Sequence, residues 1–449
     1  MRNLGYGSTN GHPEIVDFKT ALLRGQAPDK GLYMPVEIPS LSSDIIESMG
    51  KMTYPDIAFT VIGQFLKNEI PSSELERIVR DAYDFDIPIQ RVYDRKHVMW
   101  LSKGPTLSFK DLAARMMSRL VQFIMKNEQK HMTILTATSG DTGSAVANAF
   151  YGLDNIDCVV LFPEKEVTEL QRKQMTTLGG NVKTFAVDGK FDDCQLMVKQ
   201  AFTDPELECL NLSSANSINF GRLLPQLVQY FYAYSRIIKN SDEKPVMSVP
   251  CGNFGHITAG LFAKFMGLPI HRFVIATNAN DEFPRFLETG IYNPIIPSRV
   301  CISNAMNVGH PSNLARIVDL YEGIMDEKGT IKKMPDLISM KRDIFAVSIS
   351  DNETRETIEK VYKKYGIILD PHGAVAWAGL MRYLKHEGNW NPSISFETAD
   401  PGKFSEEIIK ILGVCPEIPK SLEVLKDKEE RFVKIPNDYK TFSELLRKL

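Results

Sequence analysis

Short apolar runs alternate with helical patterns over most of the chain after about residue 95. The runs are rich in Val, Ile, Thr and Phe and are continuously apolar, as in a sheet whose two faces are both covered. They occupy residues 133–138, 158–162, 182–187, 246–249, 273–276, 344–348 and 394–396. Because strands and helices alternate, the pattern predicts an α/β protein with mainly parallel sheets.

Helical periodicity marks the segments between these strands. In residues 110–126 apolar side chains recur at helical spacing, which predicts one amphipathic helix. Further helices are predicted over residues 144–151 and 257–266. The first 95 residues differ, because they show mixed helix and loop, with an amphipathic helix predicted over 73–82. The change of pattern near residue 95 predicts a domain boundary there.

Glycine clusters directly follow two of the predicted strands. One runs from Thr138 to Gly143 and the other from Gly252 to Gly255. In open parallel sheets, ligands bind at the carboxyl ends of strands, where loop amides and helix N-termini face anions. Each cluster is therefore a candidate site for a carboxylate or a phosphate, although such loops also join strands to helices without binding anything.

Lys110 begins the predicted helix 110–126, in the segment Ser108-Phe109-Lys110-Asp111. The positive end of a helix disfavours a cation in the first turn. Together with burial, that field would lower the pKa of the lysine and make it a nucleophile or a base. A lysine beside phenylalanine is, taken alone, more often a surface residue with its stem on an apolar face.

Composition and charge narrow the class of protein. The 449 residues include 53 Lys and Arg against 56 Asp and Glu, and 43% are hydrophobic. This balance excludes a disordered chain and argues against nucleic-acid binding. No apolar stretch reaches the roughly 18 residues of a membrane span, and the first residues lack the apolar run of a signal peptide. We expect a cytoplasmic globular protein without nucleic-acid or membrane partners.

The motifs of several other chemistries are absent from the sequence. Six cysteines are irregularly spaced without C-x-x-C, which predicts no zinc cluster and a reducing compartment. No Gly-Lys pair is followed by Ser or Thr, so the phosphate loop of nucleotide-binding proteins is missing. H-E-x-x-H and G-x-S-x-G are missing as well. No metal site is predicted.

Seven segments in a fixed order carry a resemblance to a known family. They are SFKD (108–111), TATSGDTGSA (136–145), SSANSINFGRLLPQ (213–226), VPCGNFGHITAG (249–260), SNAMNVGHPSN (303–313), DPHGAVAW (370–377) and TADPGKF (398–404). With the opening residues 6–35, this ordered set resembles the bacterial and fungal subgroup of the threonine synthase family, which are fold type II pyridoxal-phosphate enzymes. The lysine segment or a glycine loop alone would be weak, whereas the order of all seven is specific.

The resemblance implies a fold of the tryptophan synthase β type. That fold has two open, mainly parallel sheet domains, to which this family adds an N-terminal domain. We expect the N-terminal domain over residues 1–95 and a PLP-dependent catalytic core over 96–449. Its smaller subdomain is expected at roughly 130–230. A monomer or a homodimer is expected.

Pyridoxal 5′-phosphate is the cofactor that the resemblance implies. The protein tunes this electron sink through the groups that it places around the ring. A carboxylate at the cofactor's 3′-oxygen, where Asp141 falls, must be protonated or bridged. The matching residues are Lys110 for the covalent link, Gly252, Asn253, Phe254 and Gly255 for the phosphate, Asp141 for the 3′-oxygen and Thr398 for the pyridine nitrogen.

O-phospho-L-homoserine is the substrate that the resemblance implies. The implied reaction gives L-threonine and phosphate by γ-elimination and addition of water at Cβ, with Lys110 as the base. Arg222 offers a planar fork that suits a phosphate. The matching residues are Ser139, Gly140 and Thr142 for the α-carboxylate, and Asn216, Ser217 and Arg222 for the substrate phosphate.

Other functions share part of this pattern. A related phospholyase would keep all the motifs but release 2-oxobutyrate, ammonia and phosphate. A non-catalytic relative that acts through partners need not keep Lys110, Arg222 and Thr398 together. Serine dehydratases and cysteine synthases do not need residues 216–222 as a phosphate-binding segment in addition to the one for the cofactor phosphate. His310 and His372 lie in matching segments, where we assign them no role and expect loops.

Overall fold

The computed structural model of the chain describes residues 4–388 and 390–448. Its strands are β1 (Tyr6–Ser8), β2 (Tyr33–Pro35), β3 (Ile89–Tyr93), β4 (Lys96–Trp100), β5 (Met132–Ala137), β6 (Ile156–Pro163), β7 (Val182–Asp188), β8 (Leu212–Ser214), β9 (Val246–Pro250), β10 (Arg272–Thr277), β11 (Ile324–Met325), β12 (Ile331–Lys333), β13 (Ile344–Ser348), β14 (Ser393–Glu397) and β15 (Val433–Pro436).

Helices connect most of these strands. The α-helices are α1 (Phe18–Arg24), α2 (Ser43–Ser48), α3 (Tyr54–Leu66), α4 (Ser72–Ala82), α5 (Lys110–Glu128), α6 (Asp141–Phe150), α7 (Glu169–Thr176), α8 (Phe191–Ala201), α9 (Phe220–Leu223), α10 (Leu227–Ile237), α11 (Gly255–Phe265), α12 (Glu282–Thr289), α13 (Leu314–Leu320), α14 (Leu337–Asp343), α15 (Asp351–Tyr365), α16 (Pro371–Glu387), α17 (Ser405–Leu412), α18 (Lys420–Glu423) and α19 (Tyr439–Leu446). Short 3-10 turns lie at Met49–Lys51, Pro205–Leu210, Leu224–Gln226, Asn304–Met306 and Pro401–Phe404.

Two open sheets organise the chain from β3 onward. The larger has the strand order β13-β10-β9-β14-β4-β3, and the smaller has the order β15-β7-β6-β5-β8. All neighbouring strands run parallel except β3 and β4, which pair antiparallel. Every residue of β5, β9 and β14 is buried, so both faces of these central strands are covered. The α/β class with mainly parallel sheets is thereby confirmed.

The strands predicted from the apolar runs are all present as β5, β6, β7, β9, β10, β13 and β14. Short strands escaped prediction. No strand was predicted near residue 212, but Leu212–Ser214 pair with β5 as the edge strand β8. The C-terminal strand β15 pairs with β7, which brings the end of the chain into the smaller sheet. Three- and four-residue strands carry too few side chains to show a period.

The two helices behind the glycine clusters begin earlier than their apolar pattern suggested. Helix α6 begins at Asp141 because Gly140, at φ 140°, turns the chain directly into it. Helix α11 begins at Gly255, after Phe254 in the left-handed region at φ 61°. Non-glycine residues rarely adopt that conformation. Both glycine clusters therefore lie at helix N-termini.

The first 95 residues contain strands as well as the predicted helices and loops. β1 pairs antiparallel with β2, and β3 joins the larger sheet. The prediction of helix and loop alone was wrong here, because β1 and β2 are three residues long. This region packs on the segment around α9, where the Phe220 ring lies 5.0 Å from Tyr6 and 6.2 Å from Phe65. The proposed division into domains at residue 95 stays a prediction.

In the described part of the chain, no helix combines the length and the apolar character that crossing a membrane requires.

Candidate active site

Two chain segments pair beside the first turn of α5 and bring Lys110 and Thr398 together. The Phe109 amide donates to the Thr398 carbonyl at 2.9 Å, and Ser108 forms an antiparallel bridge with Ala399. Thr398 directly follows β14, which lies next to β4 in the larger sheet. Two residues 288 positions apart in the sequence are thus fixed at one point by backbone hydrogen bonds.

The Lys110 side chain is 15% exposed and its Nζ lies 3.9 Å from Asp141 Oδ2. Burial lowers the pKa of the amine; Asp141 raises it, whereas Lys403 and Arg222 lower it further. The net shift is downward, which favours the free amine. A partly exposed, readily deprotonated lysine fits both a nucleophile and a base.

Of the two states considered for Asp141, protonated or bridged, the structure shows the bridged carboxylate, paired with Lys403. Its Oδ1 accepts from Lys403 Nζ at 2.6 Å and from Gln171 Nε2 at 3.0 Å. Burial alone would raise the pKa of this carboxyl, but Lys403 and Lys110 reverse the effect and lower the pKa below its usual value. The sequence analysis missed Lys403 and Gln171. The signal for Lys403 was its place in the segment 398–404.

The loop between β5 and α6 is shaped by one hydroxyl. Thr138 Oγ1 accepts from the amides of Gly140 at 3.0 Å and Gly143 at 2.8 Å. The Gly140 amide, expected to bind the substrate carboxylate, thus holds the loop together. Ser139 and Thr142 are half-buried at the same loop, so their accessible atoms are the better candidates for that carboxylate.

The second loop, Gly252–Gly255, leads into α11. A Cβ on Gly252 would lie 2.8 Å from Met306 Cα and 2.9 Å from the Ala305 carbonyl oxygen, closer than side chains tolerate. Only glycine therefore fits at this position. The helix N-terminus supplies amides that favour an anion.

Asn216 and Ser217 connect the two loops. Asn216 donates to the carbonyl of Ala137, where β5 ends. The Ser217 hydroxyl accepts from Asn253 Nδ2 at 2.8 Å and from Asn313 Nδ2 at 3.2 Å. Of the residues predicted to hold the substrate phosphate, Ser217 therefore touches the loop predicted to hold the cofactor phosphate.

Arg222 is a buried cation with an unused donor. It is 4% exposed, and its Nη1 donates to the Ala215 carbonyl at 2.6 Å. Its Nε has no hydrogen-bond partner among the described residues. Burial lowers the pKa of the guanidinium to about 10, and Asp111 opposes the shift. A guanidinium held out of water with a free N–H is suited to bind an anionic ligand.

We expected both His310 and His372 to lie in loops. His310 does lie in a loop, but His372 lies in the first turn of α16, so the expectation for His372 was wrong. Asp370 caps α16, and a proline follows it at the first helical position. His372 Nε2 accepts from the Ala305 amide at 3.2 Å, so the ring proton lies on Nδ1 and is donated to Asp370 Oδ1. Asp370 Oδ2 also accepts from the Ala399 amide at 3.3 Å. This buried pair joins the chain beside Thr398 to the loop beside Gly252.

Arg316 is a further residue that the sequence analysis missed. It is fully buried, and its guanidinium donates to the carbonyls of Tyr33, Ser217 and Ile218 and to Asn313 Oδ1. Sequence offers no signal for it, because nothing distinguishes an arginine in an apolar helix from one at the surface. Arg316 ties the N-terminal region to the segment that carries Ser217.

These donors fit pyridoxal phosphate. Its aldehyde needs an amine, which Lys110 could supply, and its phosphate needs loop amides at a helix N-terminus, which Gly252–Gly255 could supply. Thr398 supplies a hydroxyl at the point where the two chain segments meet. The buried Nε of Arg222 has no partner and is a candidate donor to a second anion, besides the cofactor phosphate. No group of three or more His, Cys, Asp or Glu side chains among the described residues could hold a metal ion.

Three family profiles match successive parts of the chain: "Threonine synthase N terminus" at 5–83, "Pyridoxal-phosphate dependent enzyme" at 100–393 and "Threonine synthase, C-terminal" at 373–446. Threonine synthase of Buchnera aphidicola (subsp. Acyrthosiphon pisum) is 40% identical over 414 residues, which is 92% of both chains. That of Escherichia coli is 39% identical over 436 residues, 97% of both. The crystal structure of PLP-bound threonine synthase from Brucella melitensis superposes with a TM-score of 0.92 at 35% identity, covering 99% of both chains.

Proposed function

The chain belongs to the threonine synthase family of pyridoxal-phosphate-dependent enzymes, and on this premise we propose that it converts O-phospho-L-homoserine and water to L-threonine and phosphate. The observation that carries the proposal is Arg222, a buried guanidinium with a free Nε whose charge acts on Lys110. A phosphate on the substrate's Cγ is the group that such a cation would hold. Small amino-acid substrates without a phosphate would leave it unused.

Pyridoxal phosphate supplies an electron sink for negative charge on the substrate carbons. Lys110 would bind it covalently, the amides of the 252–255 loop would hold its phosphate, and Thr398 would supply a hydroxyl to its ring nitrogen. Asp141, a carboxylate neutralised by Lys403, would serve its 3′-oxygen. A threonine at the ring nitrogen does not force protonation there, as a carboxylate would.

The substrate carboxylate binds at the loop between β5 and α6. Ser139 and Thr142 are the accessible residues of that loop, and α6 points its positive end at the site. This contact fixes the Cα–H bond of the substrate relative to Lys110. The Lys110 amine takes the Cα proton, and its lowered pKa favours the free amine that this step requires.

The substrate phosphate binds to Asn216, Ser217 and Arg222. As the Cγ–O bond breaks, negative charge grows on the leaving oxygen, and the buried guanidinium stabilises it without reorganising. A proton leaves Cβ as the Cγ–O bond breaks, and Cγ then takes up a proton to become the methyl group. Water adds its hydroxyl at Cβ and gives up its other proton, and a proton returned at Cα completes L-threonine. Arg222 thus contributes to turnover as well as to binding.

The related phospholyase reaction is the alternative, because it uses the same residues up to the loss of phosphate. It releases 2-oxobutyrate and ammonia instead of adding water. The purified protein is incubated with O-phospho-L-homoserine while L-threonine, phosphate and 2-oxobutyrate are measured together. We expect threonine and phosphate in equal amounts. Phosphate accompanied by an equal amount of 2-oxobutyrate would make the protein a phospholyase.

A cytoplasmic location and a monomeric or homodimeric state complete the proposal. The six cysteines are all free thiols, as in proteins of a reducing compartment. Size-exclusion chromatography with light scattering distinguishes the two oligomeric states.

A further inference from the structure

Three charged side chains form a buried row at the active site. Asp141 lies between two lysines, with Lys403 Nζ at 2.6 Å from one carboxylate oxygen and Lys110 Nζ at 3.9 Å from the other. The side chain of Lys403 is 0% exposed and that of Asp141 is 2% exposed. One carboxylate thus faces two amines, and only the contact with Lys403 is a hydrogen-bonded ion pair.

We propose that Lys403 is a positioning residue that holds the carboxylate of Asp141 to itself, so that the Lys110 amine forms no hydrogen-bonded ion pair with that carboxylate and stays available as nucleophile and base. The inference rests on the proposed role of Lys110 as the lysine that binds pyridoxal phosphate. It assigns to Lys403 no contact with substrate or cofactor.

Two polar contacts fix the position of the Lys403 side chain, the first of them the ion pair with Asp141. Its Nζ also donates to the Thr106 carbonyl at 2.9 Å. Thr106 in turn is fixed by Asp111, which accepts from its amide at 2.8 Å and from its hydroxyl at 2.6 Å. Lys403 therefore cannot swing away without losing both its ion pair with Asp141 and its hydrogen bond to the Thr106 carbonyl.

Helix α7 supports both ends of the pair. Gln171 donates to the same Asp141 oxygen at 3.0 Å, and Gln174 donates to the Thr106 carbonyl at 3.0 Å. These amides keep the carboxylate turned toward Lys403. A buried ion pair with satisfied hydrogen bonds is costly to break from one side only, because the remaining charge is left uncompensated.

The charges around Lys110 determine in which direction the loss of Lys403 would shift the pKa of the Lys110 amine. Asp141 and Asp370 raise the pKa of its amine, while burial, Lys403 and Arg222 lower it. Removal of Lys403 would take away one cation and free the Asp141 carboxylate to pair with Lys110. Both changes stabilise the ammonium form, so the pKa of Lys110 should rise. His256, which lies on α11 and whose ring is 5.1 Å from Phe109, stays neutral, because burial lowers its pKa to about 3.

The test measures how fast pyridoxal phosphate attaches to the full-length protein after the bound cofactor has been removed. Visible absorbance is followed by stopped flow across pH 6–10, and borohydride reduction with peptide mapping identifies the lysine. The variants are Lys403→Met, Lys403→Arg and the double variant Lys403→Met with Asp141→Asn. Lys103→Met is the matched control, because Lys103 is 43% exposed and pairs with Asp400 instead.

In Lys403→Met the pH midpoint of attachment should move upward by about one unit, a nearby charge being able to shift a pKa by 1–3 units. The rate below the midpoint should then fall about tenfold. The double variant should bring the midpoint back to the parent value or below, and Lys403→Arg and Lys103→Met should leave it unchanged.

An unchanged or lowered midpoint in Lys403→Met would overturn the proposal. So would an equal loss of rate at every pH in both the single and the double variant, which is what a merely structural lysine predicts. If Lys403→Met does not fold, an upward midpoint in Lys403→Arg or in the double variant would still contradict it. Attachment to a lysine other than Lys110 would instead refute the proposed role of Lys110, and the inference with it.

Discussion

Lys110 shows how much of an active site can depend on the charge state of a single neighbour. Its amine is shielded from water, and one carboxylate within 3.9 Å would suffice to keep it protonated. That carboxylate is already engaged by Lys403. At the scale of single residues, the site therefore depends on competition between buried charges, in which a difference of about one pKa unit corresponds to ~1.4 kcal/mol.

Replacement of the cofactor lysine gives the first prediction at this scale. Lys110→Ala should abolish the visible absorbance of the purified protein and its turnover together, because the other buried amine at the site, that of Lys403, is already engaged by Asp141 and the Thr106 carbonyl. The measurement is an absorption spectrum followed by borohydride trapping. A Lys110→Ala protein that still traps pyridoxal phosphate covalently would show that a different lysine holds it.

Arg222 and Ser217 give the second prediction. Arg222→Ala removes a charge-assisted bond worth about 1.5–3 kcal/mol, so kcat and kcat/KM should both fall roughly 10- to 150-fold. Arg222→Lys should remain impaired because it lacks the planar fork. Cofactor content should stay near normal in both. Ser217→Ala is expected to weaken cofactor binding as well, since Ser217 contacts Asn253.

Steady-state kinetics in excess pyridoxal phosphate, combined with a cofactor titration, separates these effects. Loss of cofactor with normal turnover in Arg222→Ala would mean that the two phosphate sites are exchanged.

At the scale of elements, the site is built from the loops that precede α5, α6 and α11. In each case a turn with unusual backbone geometry places the helix N-terminus at the site: Leu107 at φ 58°, Gly140 at φ 140° and Phe254 at φ 61°. Such residues cluster where the surrounding structure holds a ligand-binding shape in place. The loops are rigid because their own side chains, such as Thr138, satisfy part of the backbone.

Gly252 tests this view of the loop before α11. In Gly252→Ala the new methyl group meets backbone atoms of Ala305 and Met306, which cannot rotate away as a side chain would. The loop must shift, and we expect the affinity for pyridoxal phosphate to fall at least tenfold while the far-UV spectrum stays unchanged. The measurement is a fluorescence titration of the cofactor-free protein.

Gly63→Ala is the matched control, because Gly63 lies inside α3 and its Cβ would make an ordinary contact of 3.7 Å with Leu75. It should leave cofactor binding unchanged and stabilise the protein by up to about 1 kcal/mol. Equal affinities in the two variants would remove the steric argument for Gly252.

At the scale of the whole molecule, Arg316 joins three distant parts of the chain. It bonds to Tyr33 of the N-terminal region and to Ser217 and Ile218 of the segment that precedes α9. Asn219 adds a second link, since its side chain donates to the Leu22 carbonyl at 2.8 Å. The N-terminal region thus supports the residues proposed to hold the substrate phosphate.

Arg316→Met should therefore affect stability and substrate binding together. It leaves several buried carbonyls without a donor, at about 1–3 kcal/mol for each group left unsatisfied, and we expect a loss of about 2–4 kcal/mol in the free energy of unfolding. KM for O-phospho-L-homoserine should rise, whereas the content of bound pyridoxal phosphate should fall by a smaller factor. Urea unfolding measures the loss of stability and steady-state kinetics measures KM. Arg77→Met is the control, because Arg77 is exposed. A stability loss without any change in KM would limit Arg316 to a structural role.

The sequence by itself determined the class of fold and the family, and it supplied the candidate site residues. Central strands such as β5 and β9 are buried on both faces, and this burial requires the continuous apolar runs that made them visible. The glycine clusters were visible because close backbone contacts and positive φ angles admit little else. The order of the seven motifs indicated the family, since seven specific segments in one fixed order have few alternative explanations.

Only the tertiary structure decided which groups meet. Lys403 and Asp141 are 262 positions apart, and neither their pairing nor the charge state of the carboxylate leaves a period or a motif in the sequence. The same holds for β15 beside β7 and for Arg316 beside Tyr33. Apolar burial is a property that each segment carries along its own length, whereas an ion pair or an edge-strand pairing is a property of two segments. Its energy depends on the desolvation and distance that folding creates, and these exist only once the chain has folded.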